Sequence, residues 1–327
     1  MKHGLLRSLL VLAAACSAAH CFGAQAADSS YPTKPLRVII PFTPGSATDV
    51  IARVVGPKMA DHWGVAVVMD NRPSAGGIVA CSTVAESAPD GYTLLVTGSN
   101  FAGSAALYTK LPYDAVHDFS GVAQYASTPL VLVVSAALGV KSVKDLIDLA
   151  HSKPGQLNFA STGLGSGTHY GAALFNLKAG IKAVHVPYRG SPETLTDLMA
   201  GRVQYITSPV LAAVPLIKSG RVLALGVTTP YRAQALPDVP TIQEAGLPDF
   251  VYEGWYGMIA PGKTPRDIVG KLSDEVHRIL DMPEVKEQIA ARGAIAKWSD
   301  PATFDNLIHK EIETRRKVWK AAGVSVD

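Results

Sequence analysis

The segment Arg37-Val-Ile-Ile-Pro-Phe-Thr-Pro-Gly-Ser-Ala-Thr-Asp-Val-Ile-Ala-Arg53 forces a strand, a tight loop and a helix into consecutive residues. Val38 to Ile40 is a β-branched apolar run, and Pro41, Pro44 and Gly45 end it. Ser46 stands three residues before Asp49, the spacing of a capping box; Val50, Ile51, Val54 and Val55 then mark one apolar helical face. A loop of backbone N–H groups therefore lies between the carboxyl end of a strand and the amino end of a helix. Orphan amides and the helix dipole favour an anion at such a place. Leu157-Asn-Phe-Ala-Ser-Thr-Gly-Leu-Gly-Ser-Gly-Thr-His169 repeats the arrangement far downstream. Two such loops point to two α/β lobes gripping one small anion.

The rest of the chain keeps the same rhythm. Strand-like runs are Ala66–Met69, Thr93–Thr97, Leu130–Val134, Leu157–Ala160, Ala183–Val186, Val203–Ile206, Val222–Val227 and Trp255–Ile259. Amphipathic stretches with helix-start signals lie between most of them. Ser142 precedes Asp145 at capping-box spacing, and Ser191-Pro192, Thr264-Pro265 and Asp300-Pro301 each pair a cap with proline at the first helical position. Alternating strands and helices predict α/β lobes with mostly parallel sheets, which bind ligands at the carboxyl ends of their strands. No Gly/Ser linker separates the lobes, so crossing strands must join them, with Leu130–Val134 and Tyr252–Ile259 as candidates. The helix from Pro301 to Lys320 is expected to return to the first lobe.

The first residues read as an export signal. Lys2 and Arg7 precede the apolar run Leu9 to Ala15, and Ala24-Gln25-Ala26 fits a cleavage site, which puts the mature start near Ala27. The run is too short to span a bilayer. Lipidation would fall on Cys16, but Leu12 sits one place too far back for that motif. Cys16 and Cys21 leave with the signal, so Cys81 stays alone and no internal disulfide can form. Loss of Lys2 and Arg7 lowers the net charge from +3 to +1. Neither that balance nor any basic cluster suits nucleic acid, and no later segment is apolar enough to span a membrane.

By these marks the chain resembles the Bug-type solute-binding receptors of tripartite tricarboxylate transporters. The resemblance rests on Pro41-Phe-Thr-Pro-Gly-Ser-Ala-Thr-Asp49 with Ala52-Arg53, Asn71-Arg-Pro-Ser-Ala-Gly-Gly77 and Ser161-Thr-Gly-Leu-Gly-Ser-Gly-Thr-His169. His185-Val-Pro-Tyr-Arg-Gly-Ser191, Leu236-Pro-Asp-Val-Pro-Thr-Ile-Gln-Glu-Ala-Gly246 and Trp255-Tyr-Gly-Met-Ile-Ala-Pro261 complete the set. The resemblance implies a two-lobed α/β fold of the type II periplasmic-binding-protein kind, with a ligand cleft between hinged lobes. On this reading residues 1–26 are the signal, 27–127 with 252–327 the first lobe, and 128–251 the second. It further implies a periplasmic receptor whose loop amides, partly through water, hold a ligand carboxylate, with membrane permease subunits as partners. Three departures stand out. Ser46 and Ser74 replace glycines usual in the family, and Gln204 and Ser208 stand in a strand region that usually carries aspartate.

Each site residue also has a plainer reading. The loop Phe42, Thr43, Pro44, Gly45, Ser46, Ala47 could merely connect strand to helix; its partner loop favours anion binding. Asp49 fits a helix cap better than a ligand contact, since a carboxylate repels an anion unless it meets an amino or hydroxyl group. Gly163, Gly165, Ser166, Gly167 and Thr168 lack the third glycine of a dinucleotide loop and do not form Gly-x-Ser-x-Gly around a nucleophile. They supply amides, hydroxyls and room for close approach. His169 near a helix start fits a packed side chain or a ligand contact, and neither it nor His185 has metal-ligand spacing with a cysteine or carboxylate. Arg189 after Tyr188 suits a second ligand carboxylate or a surface ion pair. Ser99 and Asn100 follow a strand and so face the cleft. Trp255 and Tyr256 suit either the core or a ring-bearing ligand. The expected protein is a monomeric, non-enzymatic receptor for a small carboxylate, with no cofactor and no metal. The rival is an exported hydrolase using Ser161 or Ser166, for which no base-plus-carboxylate constellation stands out.

Overall fold

The structure, a computed structural model, describes residues 31–324. The expected signal, its cleavage site and the two first cysteines lie outside them. From Lys34 onward the chain forms one compact unit.

The first sheet grows from β1 (Leu36–Ile40), β2 (Val67–Asn71) and β3 (Thr93–Gly98). β1 pairs in parallel with both neighbours, linked by α1 (Ala47–Trp63) and α2 (Ile78–Ala85). β1 is buried along nearly its whole length, as its continuous Val/Ile run demands. α1 buries Ile51, Val54, Val55 and Met59 and ends at Gly64, whose φ of 67° suits glycine alone. α3 (Asn100–Leu107) follows β3 directly. The second half repeats the plan with α4 (Val143–Ser152), β5 (Asn158–Ser161), α5 (Gly167–Ala179), β6 (Val184–Pro187), α6 (Ser191–Met199), β7 (Tyr205–Pro209), α7 (Val210–Lys218) and β8 (Val222–Val227). β5 lies parallel to β6 and β7.

One strand belongs to both halves. β4 (Phe119–Ser135) pairs antiparallel through Phe119–Pro129 with β9 (Glu253–Pro261), and through Leu130–Val134 with β7. β8 lies along its second half, and β10 (Ile295–Ser299) along its first. The full order is β2-β1-β3-β9-β4-β7-β5-β6. The crossing run read as Leu130–Val134 is thus the end of a seventeen-residue strand. The sheets are mixed: outer strands run parallel, whereas β4 and β9 run antiparallel because the chain that crosses between lobes must also return. β10 was not among the runs read as strands. Its sequence Ile-Ala-Lys-Trp-Ser leaves Ile295 and Lys297 exposed, so it lacks the apolar continuity of the inner strands.

α8 (Arg266–Leu280), α9 (Pro283–Ala290) and α10 (Pro301–Ala321) complete the fold. α10 was expected on the first lobe; it lies across both. Phe304, Ile308 and Ile312 join the core of the first sheet, and Trp319 joins that of the second. Spacings of four, four and seven residues keep all four on one helical face. Each such buried side chain contributes about 1.5–3 kcal/mol relative to exposure. Cys81 is fully buried, and desolvation pushes its thiol up to about 12, so it is a packed side chain rather than a reactive one.

Candidate functional site

Between the two halves lies a narrow cavity of about 50 Å3. Five helices begin at its wall. Ser46, Ala47 and Thr48 open α1; Ser99 and Asn100 open α3; Gly167 and Thr168 open α5; Ser191 opens α6; and Pro209 precedes α7. Phe42, Gly98, Thr128, Leu130, Thr162, Tyr252, Gly254, Trp255 and Tyr256 fill in the remainder. No lining residue carries a formal charge. The first intrahelical bonds run from Val50 to the Ser46 carbonyl and from Tyr170 to the Ser166 carbonyl. The amides of Ala47, Thr48, Gly167 and Thr168 precede them and remain available to a ligand. Each helix start carries roughly half a positive charge.

The two loops hold their shape by internal bonds. Asp49 is 2% exposed and does not face the cavity. Its carboxylate accepts from the Gly45 amide at 2.9 Å, Arg53 Nε at 3.0 Å and Asn71 Nδ2 at 2.9 Å. Burial alone would raise its pKa; Arg53, Gly45 and Asn71 outweigh it and hold the carboxyl below its ordinary value. Asp49 is therefore a brace for the loop. The Ser46 hydroxyl accepts from the Asp49 amide at 3.4 Å, a long bond for a cap, and also lines the cavity. Pro44 and Gly45 form the exposed tip of the loop, with Gly45 at φ 79°. Thr43 reaches across to Glu193, its hydroxyl 3.5 Å from Oε2.

In the second loop, Ser166 Oγ caps α5 by accepting from the His169 amide at 3.1 Å. Thr168 Oγ1 takes bonds from the Thr162 amide at 2.9 Å and lies 3.1 Å from Thr162 Oγ1. Gly163 and Gly165 adopt φ of 115° and 75°, which let the chain fold back on Ser161 and His169. The Gly165 amide donates to His169 Nδ1 at 3.2 Å, which places the His169 proton on Nε2. Here the structure parts from the expected ligand set. Ser161, Gly163, Gly165, Ser166 and His169 are buried in the loop's own scaffold, outside the cavity lining. His169 stacks on His185 at 3.9 Å and on Trp319 at 4.7 Å. Burial and the neighbouring His185 push its pKa well down, and burial lowers that of His185 to about 4, so both rings are neutral near pH 7.

Tyr188 and Arg189 also stand apart. The Tyr188 hydroxyl donates to Asp197 at 2.7 Å, and Arg189 is exposed with no ion pair among the described residues. Asn100 lines the cavity, but its amide is committed to Thr97, Gly98 and Gly76. The departures at 204 and 208 are structural. Gln204 accepts from the Asn158 amide at 2.7 Å, and Ser208 is buried beside Pro209. Ser74 accepts from the Val79 amide. Thr48, Thr128, Leu130, Thr162, Ser191, Pro209 and Tyr252 line the cavity and were not among the expected site residues. Ser191 was expected as a cap; Gly190 takes that position, leaving Ser191 as the first helical residue. Among the described residues no cluster of His, Cys, Asp or Glu could hold a metal, and no helix is long and apolar enough to cross a membrane.

Ser161 Oγ lies 2.6 Å from His185 Nε2, the contact a hydrolase would need. Ser161 is wholly buried and also bonded to Gly163, so no substrate carbonyl can reach it. Residues 51–324 match the model of the tripartite tricarboxylate transporter family receptor. The chain belongs to this family. Protein BugT of Bordetella pertussis is 34% identical over 93% of this chain and 94% of its own length. The structure is similar to that of Rhodopseudomonas palustris Rpa4515 with adipate, with TM-score 0.87 and 34% identity over 90% of this chain and 99% of that one. It is also similar to MatC of the same organism with bound malate, with TM-score 0.84 and 32% identity over 88% and 99%. The family member described here is a two-lobed solute-binding receptor of a periplasmic receptor family, and not a hydrolase.

Proposed function

We propose that the cavity captures a small carboxylate between the lobes and that membrane permease subunits of a tripartite transporter recognise the closed, loaded form. The observation that carries this reading is the convergence of five helix starts on one cavity without a charged side chain. Amides and dipoles arranged in advance stabilise an anion at little reorganisation cost. Phe42, Ser46, Ala47, Thr48, Ser99, Gly167, Thr168, Ser191 and Trp255 are the residues proposed to surround the ligand. Two relatives hold adipate and malate in their structures, both small dicarboxylates, which supports an acid of that size here.

The lobes are proposed to divide as 27–127 with 252–327 and 128–251, with closure biased by contacts to both. The receptor is proposed to act as a monomer in the periplasm after removal of residues 1–26. Calorimetry with adipate, malate and benzoate, alongside their amides, tests the reading. Much tighter binding of an acid than of its amide is expected; equal affinity for the two refutes it. Mass spectrometry of ligand retained through native purification would identify the natural acid.

A further inference from the structure

We propose that Arg315 supplies, through the hydroxyl of Tyr252, the positive charge that the cavity wall itself lacks. The inference rests on the carboxylate-receptor reading and concerns how that carboxylate is neutralised. Arg315 lies on α10 and is 1% exposed. Its guanidinium sits 4.3 Å from the ring centre of Tyr170 and 5.3 Å from that of Tyr252. Nη2 donates to the Tyr252 hydroxyl at 3.0 Å and to Glu311 at 3.2 Å. Nε and Nη1 are buried with no hydrogen-bond partner among the described residues. A buried cation satisfied on one side only is costly, and an apolar side chain of similar length would avoid that cost. Burial works against the charge, but Glu311 and the two tyrosines keep the guanidinium protonated. Glu311 also accepts from Trp255 Nε1 at 2.8 Å and is partly exposed, so its charge is shared with the indole and with water. The charge of Arg315 is shut in.

Tyr252 connects this charge to the cavity. Its ring lies along the face of α5 where Gly167 and Gly171 leave room. A Cβ at Gly167 would come within 2.7 Å of the Tyr252 hydroxyl and 3.4 Å of Ser99 Cβ. The hydroxyl thus stands between the starts of α3 and α5, beside the amides proposed to hold the ligand. Its oxygen accepts from Arg315 and stands beside the Ser99 side chain, so its own proton is left to point to Ser99 or into the cavity. A carboxylate oxygen seated at Gly167 and Thr168 lies in its direction. A donor hydroxyl polarised by a cation behind it makes a stronger bond than an isolated one, and more so in a dry site. The carboxylate then meets, one hydroxyl away, the positive end of the Arg315–Glu311 pair, without a flexible cation in the cavity.

Titration of the wild type, Arg315→Gln and Tyr252→Phe with adipate, malate and benzoate and with the corresponding amides tests this. In both variants the affinity for a bound acid should fall about tenfold or more while weak binding of its amide is unchanged. Combining the two substitutions should weaken the acid no further than the stronger single effect, because both break the same relay. A merely structural Arg315 would weaken acid and amide in parallel, and that result overturns the inference. Tyr252→Phe keeps the ring and removes only the hydroxyl, so it decides the matter if Arg315→Gln does not fold; wild-type affinity in that variant also overturns the inference. Failure of the wild type to bind any of the three acids would defeat the carboxylate reading itself. Binding of an acid with selectivity intact in both variants would defeat only the relay.

Discussion

Gly190→Ala separates closure of the cleft from the integrity of the fold. Gly190 has φ −173°, extended backbone that alanine adopts without strain, so its own lobe should tolerate the methyl. The obstruction lies on the facing loop, where the new Cβ would come within 2.2 Å of Thr43 Oγ1; on its own side it meets only the flexible end of Glu193, 3.0 Å from Oε2. Normal contact at such an atom pair is about 3.4 Å, so the methyl overlaps Thr43 by roughly an ångström. Overpacking of that size costs about 1–3 kcal/mol, the lower end applying if Thr43 changes rotamer. On the closure proposed above, the cost falls on the closed state, because opening the cleft would move Thr43 away. Ligand affinity should therefore fall about fivefold to 150-fold, while the thermal midpoint of the ligand-free protein changes little. Thr43→Ala added to Gly190→Ala should restore most of the affinity. Calorimetry and ligand-free melting on the four proteins of this cycle provide the measurement. Unchanged affinity in Gly190→Ala would refute the closed arrangement of Thr43 and Gly190, and so would a double variant as weak as the single one.

Ser46→Gly should leave stability within a few tenths of a kcal/mol, since the cap bond is long and glycine is an acceptable cap, yet lower ligand affinity about tenfold if the hydroxyl reaches the anion. Unchanged affinity would assign the contact to the backbone amides. Asp49→Ala should cost about 1–3 kcal/mol in urea unfolding, because the Gly45 amide and Asn71 lose their acceptor; a smaller loss would mean that the loop holds its shape without this brace. His185 has its pKa lowered from 6.5 to about 4 by burial, so the unfolded chain takes up a proton in this range that the native state does not. The stability that follows is full above about pH 6.5 and is lost as pH falls toward 4, amounting to roughly 2 kcal/mol by pH 5. Urea midpoints at pH 7 and 5 for the wild type and His185→Asn should show the steeper fall in the wild type, and parallel behaviour would sink the idea of a buried neutral imidazole pair.

The sequence was most readable where local chemistry decides the outcome. The β-branched run at Val38–Ile40, the prolines after it and the serine caps at 46 and 142 follow from short-range rules, and the structure places each as those rules require. Ser166, expected as a ligand group, proves to be a cap, and Pro265 takes the cap position expected of Thr264. The site was readable only in part. Position along a strand–loop–helix unit says that a loop sits at the cleft, but not which of its side chains turn inward. Ser161, Gly163, Gly165 and His169 belong to the second loop by sequence, and that loop folds back on itself to build its own scaffold. Thr128, Leu130 and Pro209 reach the cavity because β4 and β7 meet where the two halves of the sheet join, a pairing that no local pattern encodes.

The absence of charge from the cavity wall gives the partition between loops and scaffold its physical sense. A lysine or arginine in the wall would hold an anion tightly but would have to be desolvated at each closure and paired again at each opening. Fixed helix starts need no such rearrangement, so the lobes can trade a hydrated ligand for a dry one with little internal motion. The carboxylates and cations near the site follow the same division. Asp49 with Arg53, and Glu311 with Arg315, are bonded behind the wall and shape or polarise what faces inward. Substitutions in this outer layer should then alter affinity through the loops and Tyr252. Substitutions at Thr48 and Ser191, whose hydroxyls make no hydrogen bond among the described residues, should alter it by direct contact.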